Sequence, residues 1–212
     1  MADEYLEDPD VKRMLRVREG DESAFEELVA GYGSLLMAFM KRFVGPSGPV
    51  EDLAQDVFLK VHRAAPTYEP RARFKTWLLT IATNVCLNEK RRASRHFQHS
   101  LDQSMGSGDG DDGARLSEQV EDDGARPDSD MEAVELKSKV RAAIDGLPDN
   151  QRMAILLARF EQMSYADIGA TMGLSVMAVK SLLNRAKNNL KDALSREIQD
   201  FLVLREDESD SR

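Results

Sequence analysis

A glycine-containing tripeptide between two short apolar patterns constrains the fold of this chain more than any other part of its sequence. Residues 163–190 are MSYADIGATMGLSVMAVKSLLNRAKNNL, and the tripeptide Gly-Leu-Ser at 173–175 divides them into two segments of helical period. Ser164 and Asp167 have the spacing of a capping box, which predicts that a helix begins near Tyr165. The glycine is expected to end this helix with a positive φ, and the serine is expected to cap the next helix.

The second of these helices has two unlike faces. Its apolar residues recur at intervals of three and four and are expected to face a core: Val176, Val179, Leu182, Leu183, Ala186 and Leu190. The other face includes cations and amides and has no carboxylate. Its residues are Met177, Lys180, Ser181, Asn184, Arg185, Lys187 and Asn188. Because cations and amides bind phosphates and base edges, the pattern favours a helix-turn-helix with its second helix in a major groove. An ordinary helix pair with a solvated basic face is the alternative that this stretch alone leaves open.

The formal net charge of -9 does not argue against DNA binding, because the charge is unevenly distributed. Residues 71–95 carry seven cations and one carboxylate, and residues 139–196 carry nine cations and five carboxylates. Acidic segments flank and separate these two, the most acidic being 96–138 with three cations and twelve carboxylates. Nucleic-acid binding depends on the local potential rather than on the total charge.

The composition of residues 100–130 indicates a linker. The segment is rich in Gly, Ser and Asp and poor in apolar residues, so it cannot bury enough surface to offset its chain entropy. Gly108, Gly110 and Gly113 have the spacing of a dinucleotide-binding loop, but no strand is predicted before them and the neighbouring aspartates would repel a phosphate. The expected fold is therefore all-α, with two small helical domains joined by a flexible acidic linker.

The N-terminal half predicts two amphipathic helices on either side of the breaker GPSGP. The apolar stripe of the first comprises Phe25, Leu28, Val29, Tyr32, Leu35, Leu36, Phe39 and Phe43. The stripe of the second comprises Val50, Leu53, Ala54, Val57, Phe58 and Val61. Asp52 and Asp56 lie four residues apart on the exposed face of the second helix, where they are either solvated surface or a docking patch for a basic partner.

A third segment, residues 68–95, combines seven cations with three aromatic residues. A basic track with interleaved aromatic rings is typical of a surface that binds single-stranded nucleic acid. Phe74 and Trp77 also follow the apolar stripe of this helix, so core packing is the alternative for both rings.

Several classes of protein are excluded by the sequence. No apolar run approaches the roughly 20 residues of a membrane span, and the acidic N-terminus is unlike a signal peptide, so a cytoplasmic protein is expected. The single cysteine, Cys86, cannot form an internal disulfide and is expected to be a core thiol. His62, His96 and His99 do not have the spacing of metal ligands, and no nucleophile motif occurs. We therefore expect no metal, no cofactor and no enzymatic activity.

Several motifs in a fixed order resemble one family. These are DESAFEELV, VEDLAQDVFLKVHRA, FKTWLLTIATN, an acidic linker, and then LPDNQRMAILLARFEQMSYADIGATMGLSVMAVKSLLNRAKNNL. The chain is similar in these segments to the extracytoplasmic-function (ECF) group of bacterial RNA polymerase sigma factors. The resemblance covers roughly residues 20–95 and 136–194.

The resemblance implies a role for each surface. The helix with DLAQDVFLKV would dock on the clamp helices of the polymerase's largest subunit through Asp52, Gln55 and Asp56. Residues 68–92 would separate the strands of the minus-ten element and capture the non-template strand, with a flipped base held beneath the loop YEPRAR. The minus-ten candidates are Tyr68, Arg71, Arg73, Phe74, Trp77, Asn84, Asn88, Arg91 and Arg92.

The second helix of the helix-turn-helix would bind the minus-thirty-five element as duplex DNA. Its candidates are Met177, Ala178, Lys180, Ser181 and Asn184 for bases, with Arg185 and Lys187 for phosphates. Many relatives have a Gly-Thr pair where this chain has Met177 and Ala178, and a second basic residue in place of Leu182. The base preference of the relatives therefore does not transfer to this chain.

The resemblance also implies a division of the chain and its partners. We expect an acidic extension and lead-in helix at 1–19, a region-two-like domain at 20–95, the linker at 96–135, a region-four-like domain at 136–196 and an acidic tail at 197–212. The expected partners are core RNA polymerase, promoter DNA in duplex and single-stranded form, and an anti-sigma factor. The linker is either a solvated tether or a segment that enters the basic channels of the polymerase. A helix-turn-helix regulator that acts without polymerase is the alternative function.

Overall fold

The structure is a computed structural model that describes residues 3–104 and 130–209, with side chains described for 5–95 and 137–195. Every regular element within these ranges is helical, which confirms the all-α expectation. The α-helices are α1 (Pro9–Arg18), α2 (Glu22–Val44), α3 (Val50–Ala64), α4 (Phe74–Ser104), α5 (Asp130–Asp145), α6 (Asp149–Ile155), α7 (Tyr165–Met172) and α8 (Val176–Ser209). Short helical turns at Asp3–Glu7, Ala65–Thr67 and Leu156–Phe160 adjoin them.

The N-terminal core is built on α2. Leu28, Leu36, Phe39 and Phe43 are each at most 1% exposed, as the apolar spacing predicts. The lead-in helix α1 packs on α2 through Val11, Met14 and Val17, and α3 packs on it through its own stripe. Gly45 ends α2 with a φ of 91°, a conformation that glycine adopts without strain. It is the first residue of the breaker GPSGP.

Helix α4 supplies the other main wall of this core. Phe74, Leu78, Leu79 and Ala82 have no exposed surface. Cys86 is also fully buried, which confirms the expected core thiol, and its burial raises the pKa of the thiol to about 12.

Three element boundaries differ from the sequence expectation. Helix α4 continues through Ser104 and α5 begins at Asp130, so both ends of the predicted linker are helical. The rest of the linker, 105–129, lies outside the described residues. Helix α8 continues to Ser209, into the segment predicted as an acidic tail. Helix length depends on local hydrogen bonding as well as on the apolar spacing that marks a buried face.

The described residues form two compact units. One unit consists of 3–90 and 147–189, and the other of 91–104, 130–146 and 190–209. In the first unit, α6 and the turn after it contact α2 and α4. The Arg152 guanidinium donates to the Arg42 carbonyl at 2.7 Å, and the Thr83 hydroxyl donates to Met153 Sδ at 3.6 Å.

No single helix within the described ranges is both long and apolar enough to cross a membrane. Helix α7 and the first part of α8 reach that hydropathy only together, and they are bent by 98° at the turn.

Candidate polymerase and nucleic-acid surfaces

The outward face of α3 is acidic and has an exposed apolar residue. Asp52 and Gln55 are exposed, and Asp56 is partly exposed with an ion pair to Lys60 at 3.5 Å. Leu59 follows at the same helical spacing and is 53% exposed. Positions 52, 55, 56 and 59 therefore form one continuous surface, which we call the α3 face. Sequence reasoning missed Leu59, although its distance of seven residues from Asp52 places both on one side of a helix.

A cleft of about 330 Å³ opens between the end of α3 and the beginning of α4. Its lining residues are Ala64, Thr67, Tyr68, Glu69, Arg71 and Trp77. The rings of Tyr68 and Trp77 meet edge to face, with centroids 4.8 Å apart. Arg71 is 85% exposed and is paired with Glu69 at 2.8 Å. We call this the Tyr68 cleft.

Tyr68 lines the cleft, but its hydroxyl oxygen is buried in the protein. Tyr68 is only 4% exposed, and within the described residues its buried hydroxyl has no hydrogen-bond partner. Burial, with a smaller contribution from Asp8, raises the pKa of Tyr68 to about 12, so the hydroxyl is protonated at neutral pH. A buried hydroxyl without a partner costs free energy.

Phe74 is among the minus-ten candidates, with core packing as the alternative. Its side chain has no exposed surface, so it is a core residue and not a DNA contact in this structure. Its ring packs against Tyr32 with centroids 5.2 Å apart and against Trp77 with centroids 5.8 Å apart. Phe74 therefore supports the cleft from the core, whereas Trp77 is partly exposed and lines it.

Two N-terminal residues that no sequence motif singles out bind the backbone around the cleft. The carboxylate of Asp8 accepts a hydrogen bond from the Asp10 N–H at 2.9 Å and another from the Phe74 N–H at 3.2 Å. It thus caps the N-terminus of α1 and also accepts a hydrogen bond from a backbone N–H in the first turn of α4. Arg18 donates to the Tyr68 carbonyl at 3.3 Å. Because Asp8 and Phe74 are 66 residues apart, no local motif reveals the second contact.

The exposed side of α4 has a polar row. Asn84, Asn88 and Arg91 recur at intervals of four and three, directly opposite the buried residues of the same helix. Arg92 lies beside this row, and Arg73 is exposed just before the helix. The predicted minus-ten residues thus lie in the cleft, along or beside the polar row, just before α4 at Arg73, and in the core at Phe74.

The helix-turn-helix has the local geometry that its sequence predicts. Ser164 Oγ accepts from the Asp167 N–H at 3.1 Å, α7 begins at Tyr165, and Ser175 Oγ accepts from the Ala178 N–H at 3.2 Å. Gly173 has a φ of 67°. A Cβ on Gly169 would lie 2.6 Å from the Leu174 carbonyl oxygen. The turn therefore passes too close to position 169 for any residue other than glycine.

The first half of α8 has a buried side and an exposed side. Val179, Leu183 and Ala186 are buried, and Leu182 and Leu190 are partly buried. Val176 was expected in this stripe but is 42% exposed, because it is the first residue of the helix and lies at the margin of the stripe. The predicted DNA-binding residues are all exposed except Ala178, which is partly exposed: Met177, Lys180, Ser181, Asn184, Arg185 and Lys187.

Comparison with known proteins identifies the family. Residues 28–96 match the family model described as Sigma-70 region 2, and residues 137–190 match Sigma-70, region 4. The chain is 32% identical over 187 residues to the ECF RNA polymerase sigma-E factor of Escherichia coli K12, which covers 88% of this chain and 93% of that protein. The chain belongs to the ECF group of RNA polymerase sigma factors. This sigma factor is also 28% identical over 183 residues to the ECF sigma factor SigW of Bacillus subtilis, covering 86% of this chain and 95% of that protein.

A solved structure agrees on the fold. The co-crystal structure of the sigma factor RpoE with the anti-sigma factor NepR from Bartonella quintana has a TM-score of 0.58 and 24% identity. It covers 81% of this chain and 96% of that chain. Members of this family are transcription initiation factors and not enzymes, and they direct core RNA polymerase to promoter DNA.

Among the described residues, no three histidine, cysteine, aspartate or glutamate side chains are grouped as metal ligands.

Proposed function

We propose that this sigma factor uses three separate surfaces to bind core polymerase, to capture the opened minus-ten strand and to bind the minus-thirty-five duplex. The proposal rests on one observation above all: the α3 face, the Tyr68 cleft with the polar row of α4, and the outward side of α8 are distinct and exposed. Each has the chemistry of its expected partner.

The α3 face is proposed to dock on the clamp helices of the polymerase's largest subunit. Exposed carboxylates at Asp52 and Asp56 suit a basic partner and increase the rate of association. Leu59 adds apolar area on the same face, and a protein interface commonly needs such an anchor within a polar rim.

Core binding tests this assignment. We expect the double substitution Asp52→Arg with Asp56→Arg to weaken binding to core polymerase by at least tenfold, because both reversed charges would repel a basic partner. Glu26→Arg is the control, since Glu26 is exposed on a different helix, α2. Equal loss in the control would mean that overall charge, and not the α3 face, governs binding.

The Tyr68 cleft is proposed to hold one unstacked base of the minus-ten non-template strand. Trp77 offers a partly exposed ring for stacking, and Arg71 at the rim suits a phosphate. Asn84, Asn88, Arg91 and Arg92 would then guide the strand along α4. We expect Trp77→Ala to weaken binding of a single-stranded minus-ten oligonucleotide by holoenzyme by about 1–3 kcal/mol, the usual contribution of one base–aromatic stack. Duplex minus-thirty-five binding should be unchanged.

The outward side of α8 is proposed to enter the major groove of the minus-thirty-five element. Met177, Ala178, Lys180, Ser181 and Asn184 would face base edges, and Arg185 and Lys187 would contact phosphates. We expect Lys187→Ala to weaken binding uniformly across sequences and to reduce the slope of log affinity against log salt by about one.

The site of action is proposed to be the cytoplasm, with an anti-sigma factor as a regulatory partner. The Bartonella quintana relative was solved with such a partner, NepR. Co-purification of this sigma factor from its native cells would test for an equivalent protein.

A further inference from the structure

The most exposed large apolar side chain in the described part of the molecule belongs to Met177. It is 74% exposed and is the second residue of α8, where Val176 is 42% exposed and Leu174 in the preceding turn is 38% exposed. Methionine has no polar group that would favour this exposure to water. In the free protein, therefore, this side chain lacks an apolar contact.

The position of Met177 on α8 indicates which kind of partner would make such a contact. Met177, Ser181, Asn184 and Asn188 recur at intervals of four and three and form the row directly opposite the buried Val179 and Leu183. In a helix-turn-helix, the N-terminal residues of the second helix contact base edges. Met177 is the first member of this row, and Lys180 and Arg185 flank it with positive charge suited to phosphates.

Only one apolar group is available on base edges in the major groove, and that is the 5-methyl group of thymine. A cation or amide at position 177 would instead have selected hydrogen-bonding atoms of guanine or adenine. Because cations flank Met177, this surface favours a nucleic acid over an apolar protein as the partner.

We propose that Met177 is a specificity-determining residue that contacts the 5-methyl group of a thymine in the minus-thirty-five element. The contact excludes water from the methyl group and from the thioether side chain, and so selects a T·A pair at one position. The inference rests on the proposed role of α8 at the minus-thirty-five element and adds to it the chemical group that is recognised.

Replacement of thymine by deoxyuridine tests the proposal, since it removes the methyl group and leaves every hydrogen-bonding atom in place. Holoenzyme assembled on a promoter identified by transcript mapping would be titrated with duplexes in which each minus-thirty-five thymine, on either strand, is replaced singly. We expect one replacement to weaken binding about fourfold, the effect of burying one methyl group. The same replacement should have no effect on the Met177→Ala variant.

Two controls separate this contact from general DNA binding. Lys187→Ala should weaken binding to thymine and deoxyuridine duplexes equally. Met177→Leu, which keeps an apolar side chain, should retain the preference for thymine. The proposal is overturned if the wild type binds every deoxyuridine duplex as tightly as the thymine duplex, or if Met177→Ala retains the full loss. Absence of any promoter-specific start with core polymerase would instead contradict the sigma-factor function itself.

Discussion

At the scale of single residues, Asp8 joins two helices that are distant in the sequence. Its carboxylate accepts from the Asp10 N–H and the Phe74 N–H, so its removal leaves two helix N-termini without a side-chain acceptor. A single lost cap costs about 0.5–2 kcal/mol, and we expect Asp8→Ala to reduce the free energy of unfolding by about 2 kcal/mol or more. Urea denaturation measures this, with Ser164→Ala as a control that removes one cap. A loss in Asp8→Ala no larger than in the control would show that the second contact is not stabilising.

Asp21 gives a residue-scale prediction about pH. Hydrogen bonds from Ser23, Arg16 and the Ala24 N–H, in that order, lower the pKa of its carboxyl from 3.8 to about 2. A lowered pKa means that the folded state favours the charged form, so this stabilisation is present above about pH 4 and is lost as the pH falls towards 2. We expect the difference in stability between wild type and Asp21→Asn to be constant from pH 7 to 5 and to shrink below pH 4. A difference that stays constant to pH 2 would contradict the assignment.

At the scale of the element, the two glycines of the helix-turn-helix have different physical roles. Gly173 needs a left-handed backbone, which asparagine tolerates, whereas any Cβ at Gly169 collides with the Leu174 carbonyl oxygen. We therefore expect Gly173→Asn to cost about 1 kcal/mol or less and Gly169→Ala to cost clearly more, because the turn must move. Thermal unfolding would rank the two variants, and the opposite ranking would refute this account of the turn.

Helix boundaries could be predicted from the sequence where a local signal determines them. The caps at Ser164 and Ser175 and the positive φ at Gly173 depend on nearby atoms only, and the structure confirms all three. Val176 and Phe74 show the limit, since a helical period indicates an apolar residue but not whether it lies at the margin of a stripe or deep in a core. The docking and DNA-contact roles remain predictions, because they depend on partners that the sequence does not contain.

At the scale of the molecule, residues 147–189 pack against residues 3–90. The Lys75 ammonium pairs with Glu161 at 2.9 Å, with the Glu161 side chain only 5% exposed, and the hydroxyls of Thr80 and Thr171 lie 3.0 Å apart. No sequence pattern predicted these contacts, because each joins residues more than 80 positions apart. The minus-ten and minus-thirty-five elements are about 25 base pairs apart, which is on the order of 85 Å of duplex. The proposed roles of α4 and α8 therefore require the two segments to separate before both elements are bound together.

Removal of the Lys75 charge tests this requirement. Lys75→Met leaves the buried Glu161 carboxylate without its cation, and we expect a weakening of the contact on the order of 2 kcal/mol, less than for a fully buried pair because Lys75 is partly exposed. The radius of gyration of the free protein, measured by small-angle X-ray scattering, should increase. Lys12→Met, which removes an exposed pair with Glu7, is the control. An unchanged radius in both variants would show that the Lys75–Glu161 pair does not hold the segments together.

The most direct test of the whole account is to mix the purified protein with bacterial core polymerase and sequence the transcripts started on genomic DNA. We predict discrete starts with a shared two-part upstream motif, present with wild type and with Glu26→Arg, and lost with Asp52→Arg and Asp56→Arg together. Core polymerase that gains no specific starts, combined with tight binding of the free protein to specific duplex sites, would contradict the account and indicate a regulator that acts without polymerase.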